Sequence, residues 1–254
     1  MRNKLYATGC SFTYGHIPNA DAQNRKIIQE YTSAPCDWTW AGHMKSHFDE
    51  YVNEAWGGGS NHRMIRRCHE FFSSVEDPSN WVAVIQLTDP YRFEYFDNSI
   101  QNHVGIFHSN EHVLLDDRTS NSKTIDLDDV IRRSKTPVAY RMLFLNYDLV
   151  AIELFEKLLA LTKFLESKNI EYFVTTMSTK CAPEIIANDC SSNHAKDLFK
   201  LFDFDKVVRL RPLSHQLESE DDFESSTDRH PSKRGHIKIY RYIYNHLKTR
   251  GIVE

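Results

Sequence analysis

Residues 4–15 read KLYATGCSFTYG, and this stretch decides which fold the sequence predicts. The apolar run from Leu5 to Ala7 is typical of a short buried strand, and Gly9 indicates a tight turn directly after it. Ser11 is therefore expected at the C-terminal tip of the first strand, where the chain turns into the next element.

Strands and helices are predicted to alternate from this point onward. Residues 37–48 have apolar side chains at helical spacing, and residues 51–55 predict a second strand. Ser60 is a predicted N-cap for a helix over 61–72. Residues 81–87, WVAVIQL, are almost continuously apolar, which is typical of a parallel strand covered by helices on both faces.

The second half of the chain continues the alternation. A helix is predicted over about 144–167, a strand over 170–176, a helix near 193–202, a short strand at 207–208 and a last helix over about 232–248. Alternating elements with apolar strands predict a three-layer α/β/α sandwich on a central parallel sheet.

Two polar segments interrupt this pattern. The segment over about 91–140 has weak periodicity and predicts an insertion of loops and short irregular pieces. The acidic run 218–224 predicts a solvated loop, and not a metal site. No linker is evident, so a single domain over 1–254 is expected.

Composition narrows the classes of partner. The chain has 254 residues, a net charge of −4 and 41% hydrophobic residues, which predicts an ordinary globular protein without a nucleic-acid or membrane partner. Its five cysteines form no Cys-x-x-Cys pair, so neither a disulfide framework nor a zinc site is expected. We expect cytoplasmic synthesis without a signal peptide. Assembly into a larger particle remains open.

Three polar or glycine-rich features follow the predicted strands. Ser11, the glycine triplet 57–59 and Thr88 all lie at the carboxyl ends of strands, where ligands bind in such folds. A serine nucleophile needs a general base and preorganised N–H donors. Gly58 is the expected backbone donor. The alternatives are that Ser11 only caps a helix and that the glycine loop is a flexible turn or binds phosphate.

The candidate base comes from the other end of the chain. Residues 228–236 read DRHPSKRGH directly before the last predicted helix. His230 is fixed by the following proline and can accept the proton of Ser11, with Asp228 as the carboxylate that orients the ring. His236 falls within the helix and is expected to pack or to lie at the surface.

Residues 9–15, 53–61 and 228–236 together resemble blocks I, II and V of the SGNH (GDSL-like) serine hydrolases, in a divergent form similar to phage and marine bacterial proteins. The resemblance implies a flavodoxin-like α/β/α fold and esterase, lipase, thioesterase or carbohydrate-deacetylase activity without a metal or cofactor. It makes Ser11 the nucleophile and His230 the base, with the N–H groups of Ser11 and Gly58 as oxyanion donors.

The sequence departs from the family pattern at three places. Cys10 replaces the usual aspartate before the serine, and a Cys10 nucleophile is an alternative. Thr88 stands where the family has an asparagine oxyanion donor. Asp228 stands two residues before His230, where the family's acid stands three before. The alternatives to Asp228 are Asp222 and a backbone carbonyl.

The remaining candidates concern the substrate. Arg92 and Asn61 are expected to bind it, with an ion pair to Glu94 or another carboxylate as the alternative for Arg92. The predicted function is hydrolysis of a small-molecule or glycan ester, including carbohydrate deacetylation. One alternative is a catalytically weak or inactive SGNH-fold module that is structural or binds glycans, such as a virion component. A nucleotide-binding protein is another.

Overall fold

A parallel sheet forms the centre of the protein, whose structure is a computed structural model. Its strands in the described part of the chain are β1 (Lys4–Thr8), β2 (Glu50–Asn53), β3 (Trp81–Leu87) and β7 (Glu171–Thr176), in the spatial order β2-β1-β3-β7. The structure describes residues 2–15, 35–97, 102–106, 113–115, 146–207, 210–226 and 229–254.

Helices cover both faces of this sheet. Tyr6 of β1 and Ile85 of β3 pack with helices α3 (Asn61–Ser74) and α4 (Tyr147–Ser167) on one face. Leu5 and Val84 point to the other face, against α2 (Trp40–Met44) and α8 (Lys233–Thr249). All four of these side chains are fully buried. The alternation along each strand therefore produces the predicted α/β/α sandwich.

Several short elements complete the described part. One helical turn, α1 (Ser11–Tyr14), follows β1 after two residues. Three short helices follow β7, namely α5 (Pro183–Asp189), α6 (Asn193–Phe199) and α7 (Phe204–Val207). 3₁₀ turns lie at Lys45–His47, Pro78–Asn80, Thr179–Cys181, Leu213–Gln216 and Glu220–Asp222. No helix among the described residues combines the length and apolar character needed to cross a membrane.

A second sheet lies within the segment that was predicted to be irregular. Strands β4 (Phe93–Asp97), β5 (Asn102–Ile106) and β6 (Val113–Leu115) pair antiparallel in chain order. The sheet is attached to α3 because the Arg66 guanidinium donates two hydrogen bonds to the Glu94 carboxylate, at 2.8 and 3.1 Å. The remainder of the predicted insertion lies outside the described residues.

Two further sequence predictions are wrong. The short strand at 207–208 is not formed at Val207, which ends helix α7, and residue 208 lies outside the described part. The acidic run 218–224 is not simply a solvated loop, because Asp222 is fully buried. The cations that pair with the Asp222 carboxylate are Arg234 and Lys238 on helix α8, and the sequence alone does not indicate that they contact it.

Candidate active site

Ser11 and His230 meet at the carboxyl edge of the sheet. The Ser11 hydroxyl lies 2.9 Å from Nε2 of His230, although the two residues are 219 positions apart. Ser11 is 7% exposed, and the His230 ring lies beside Phe12 with 5.8 Å between ring centroids. This distance permits direct proton transfer between the hydroxyl and the imidazole.

The turn that presents Ser11 requires glycine at position 9. A Cβ at Gly9 would lie 2.4 Å from the hydroxyl oxygen of Thr13 and 2.8 Å from the side-chain oxygen of Gln86. These two side chains are hydrogen bonded to each other at 2.7 Å, directly beneath the turn. Gln86 also donates to the Cys10 sulfur at 3.1 Å. Sequence reasoning missed Gln86, although a lone amide within an apolar strand was a usable signal.

Cys10 and Ser11 have different surroundings. Cys10 is fully buried, its sulfur accepts the hydrogen bond from Gln86, and it lies 3.8 Å from the Met177 sulfur. Ser11, in contrast, is hydrogen bonded to the imidazole. The geometry therefore favours Ser11 over Cys10 as the nucleophile.

The glycine loop after β2 lies against the turn that carries Ser11. The Trp56 amide donates to the Gly9 carbonyl at 3.0 Å, and the Gly59 amide donates to the Trp56 carbonyl at 2.9 Å. Gly58 between them has φ +75°, a left-handed conformation that favours glycine. The loop thus packs against Gly9, two residues before Ser11, and the role of Gly58 as an oxyanion donor stays a prediction.

Asn61 and Thr88 join helix α3 to the end of β3. The Asn61 side chain accepts from the Thr88 amide at 2.8 Å and donates to the Thr88 carbonyl at 3.0 Å. Asn61 is 1% exposed, so its evident role is to position Thr88, and its predicted substrate contact stays a prediction. The Thr88 hydroxyl is also buried, 4.0 Å from the Met177 sulfur. Its donation to an oxyanion likewise stays a prediction.

Two carboxylates, Asp228 and Asp222, are the candidates for the acid that orients His230. Asp228 lies outside the described residues, so its predicted role stays a prediction. Asp222, the second candidate, is wrong as a triad acid because its carboxylate binds Lys238 at 2.7 Å and the amides of Glu218 and Ser219. Burial opposes ionisation of Asp222, but the hydrogen bonds from Lys238 and the two amides hold its pKa well below the usual range.

The candidate substrate residue Arg92 follows the same edge of the sheet. Its main-chain amide donates to the Asp89 carbonyl at 3.1 Å. The Glu94 carboxylate binds Arg66 and faces His103 at 3.9 Å, and the alternative of an ion pair between Arg92 and Glu94 or another carboxylate stays a prediction. Binding of an anionic substrate group by Arg92 stays a prediction. In the described ranges, no group of three or more His, Cys, Asp or Glu side chains is arranged to hold a metal ion.

Of the two positions expected for His236, packed or at the surface, the structure has the packed one. His236 is fully buried, its Nδ1 accepts from the Trp40 amide at 3.2 Å, and its ring stands edge-on to Trp38. Burial, together with the nearby His43 and His230, lowers the pKa of His236 to about 3. The ring is therefore neutral near pH 7.

We expect His236 to make the protein lose stability in acid. Below pH 6.5 the unfolded chain protonates this ring and the folded protein does not, so the free energy of unfolding falls as pH decreases towards 3. The loss from this group between pH 6.5 and 5 is about 2 kcal/mol. His236→Asn keeps an acceptor for Trp40 and does not titrate, so urea unfolding should show a shallower pH dependence. Equal slopes for both proteins would contradict the assignment.

The structure of the chain is similar to solved structures of other proteins, although its sequence is not. No protein-family model matches the chain, and no curated protein matches it. Among solved structures, a carbohydrate esterase with divergent catalytic and non-catalytic binding functions has a TM-score of 0.50 and 12% identity, over 99% of this chain and 70% of that one.

Two further structures have the same kind of likeness. The esterase EstA from Pseudoalteromonas has a TM-score of 0.48 and 11% identity, over 98% of both chains. A GDSL-like lipase from Bacteroides thetaiotaomicron has 0.46 and 11%, over 98% of this chain and 89% of that one. At such identities the likeness concerns the fold alone. The chain has the α/β/α fold of the SGNH (GDSL-like) hydrolases.

Proposed function

We propose that this protein is a serine esterase that cleaves a small-molecule or glycan ester, with carbohydrate O-deacetylation as one reaction of this class. The observation that carries the proposal is the 2.9 Å contact between the Ser11 hydroxyl and Nε2 of His230. A helix cap would not need a histidine at this position, whereas a nucleophilic hydroxyl needs a base within hydrogen-bond reach.

The first half of the reaction forms an acyl-enzyme. Ser11 Oγ bonds to the ester carbonyl carbon while its proton passes to Nε2 of His230. The oxyanion is held by the N–H groups of Ser11 and Gly58, with the Thr88 hydroxyl in the asparagine position. The C–O bond to the alcohol then breaks, and His230 returns the proton to the leaving oxygen.

The second half regenerates the enzyme. A water molecule attacks the acyl carbon while His230 accepts one of its protons, and the bond to Ser11 Oγ breaks with return of that proton. The products are a carboxylic acid and the free alcohol. Asp228 is the proposed carboxylate that keeps the imidazole in the correct tautomer during both halves.

A second candidate is a binding module with this fold and little or no turnover. The burial of the Thr88 hydroxyl against Met177 favours it, because an oxyanion site that lacks one donor is weaker. Such a protein would hold a glycan or another ligand at the same edge of the sheet without cleaving it.

A fluorophosphonate probe separates these two functions. The probe phosphonylates an activated serine with loss of fluoride, so the wild-type protein should be labelled and the labelled peptide should contain Ser11. Hydrolysis of p-nitrophenyl acetate and of acetylated xylan is measured on the same samples. A folded wild-type protein that is neither labelled nor active would exclude the esterase and leave the binding module.

A further inference from the structure

We propose that Asp222 is a positioning residue for His230, because its main chain and its carboxylate hold together the hairpin that carries the imidazole and the helix that follows it. The inference rests on the proposed function, because it concerns the base of that reaction. It replaces the interpretation of Asp222 as a triad acid with a different role for the same buried carboxylate.

The first part of this role belongs to the Asp222 backbone. His230 lies on one arm of a hairpin whose other arm begins at Asp222. The Ser232 amide donates to the Asp222 carbonyl and the Glu224 amide donates to the His230 carbonyl, both at 2.9 Å. Phe223 and Pro231 form an antiparallel bridge between these two contacts. The position of His230 is thus tied to that of Asp222.

The second part belongs to the Asp222 side chain. The carboxylate is completely buried and accepts from the Glu218 and Ser219 amides at 2.9 and 3.0 Å. It also binds Lys238 at 2.7 Å and lies 3.4 Å from Nε of Arg234, both on helix α8. One carboxylate therefore joins the loop before the hairpin to the helix after it.

Helix α8 packs directly on this residue. A Cβ at Gly235 would lie 2.2 Å from the Asp222 carbonyl oxygen, so any side chain there would push the two segments apart. The Ser232 hydroxyl caps the helix by accepting from the Gly235 amide at 3.2 Å, and it donates to the Asp221 carbonyl at 2.6 Å. The helix start and the hairpin are consequently one packed unit around Asp222.

These contacts matter for chemistry because proton transfer depends strongly on distance. A displacement of about 1 Å at a catalytic group can lower the rate roughly a hundredfold. His230 stands only two residues before the helix cap Ser232, so a change at Asp222 is transmitted to the imidazole through few bonds.

The test compares two variants in the same 3₁₀ turn. Asp222→Asn removes the negative charge that faces Lys238 and Arg234, and an amide that keeps its oxygen toward Lys238 turns its NH2 group toward the Arg234 guanidinium. We expect kcat to fall roughly a hundredfold with KM within about threefold of wild type. Glu220→Gln is the matched control, because the Glu220 side chain contributes an exposed ion pair with Arg229 at 3.1 Å, and exposed ion pairs contribute little. Its kcat should equal that of the wild type.

Folding and function are separated by measuring kcat at temperatures where circular dichroism shows each variant to be folded. A purely structural role would lower the melting temperature of Asp222→Asn and leave the kcat of the folded protein unchanged, which would overturn the inference. If this variant does not fold, Lys238→Met decides, because it removes the 2.7 Å contact from a side chain that is 30% exposed. We then expect kcat to fall at least about threefold, and an unchanged kcat would overturn the inference.

The rate of fluorophosphonate labelling separates failure of this inference from failure of the proposed function. An unlabelled wild type would remove the proposed function itself. If the wild type is labelled and the Asp222→Asn variant is labelled at the same rate, only the positioning role of Asp222 would be disproved. Slower labelling of Asp222→Asn, with Glu220→Gln unaffected, is the expected result.

Discussion

Replacing Ser11 with alanine is expected to lower kcat/KM for ester hydrolysis by at least roughly a thousandfold, because no acyl-enzyme can form without the hydroxyl. The substitution removes one buried oxygen that contacts the His230 imidazole at 2.9 Å and the Cys10 sulfur at 4.0 Å. The fold should therefore be retained. Steady-state kinetics and circular dichroism on the same preparation test both statements.

Cys10→Ala is the matched control for this prediction. Cys10 is the neighbouring side chain and is fully buried, so its removal leaves the contact between Ser11 and His230 in place. We expect kcat/KM to stay within about tenfold of wild type, since the loss is a buried hydrogen bond to Gln86. An inactive Cys10→Ala protein beside an active Ser11→Ala protein would show that the cysteine is the nucleophile.

The central sheet could be predicted from the sequence because its strands are short apolar runs that end in turns. Strand β3 was predicted with the bounds it has, Trp81–Leu87, since every side chain along it is buried. The pattern failed at β4–β6, because these strands have mixed polar and apolar residues and depend on contacts such as that between Arg66 and Glu94. It failed at Val207 because a single turn of helix has no period to detect.

Those residues of the candidate site that lie at the end of a strand or the start of a helix could be predicted from the sequence. Ser11 follows a strand and His230 precedes a helix, so topology alone brings them to one edge of the sheet. Gln86 and Asp222 were not recognised because their roles depend on distant partners. Asp222 lies in an acidic run, and only Lys238, 16 residues later, explains why this one carboxylate is buried.

His230→Asn is expected to lower kcat by roughly a thousandfold or more, because an amide cannot accept the Ser11 proton. KM should change little, since the histidine acts on the nucleophile and on the leaving group. The double variant Ser11→Ala with His230→Asn should be no slower than the slower single variant. Residues that act as one unit lose their joint contribution when either is removed.

If the loss of kcat in the double variant equalled the product of the two single losses, Ser11 and His230 would contribute independently. That result would contradict the prediction that they act together. Asp228→Asn extends the same logic to the acid. If Asp228 completes a triad, its loss should cost kcat roughly 10³- to 10⁴-fold and should vanish in the His230→Asn background. If a backbone carbonyl orients the ring, Asp228→Asn should leave kcat near wild type, and the Asp222 contacts then become the main constraint on where His230 stands.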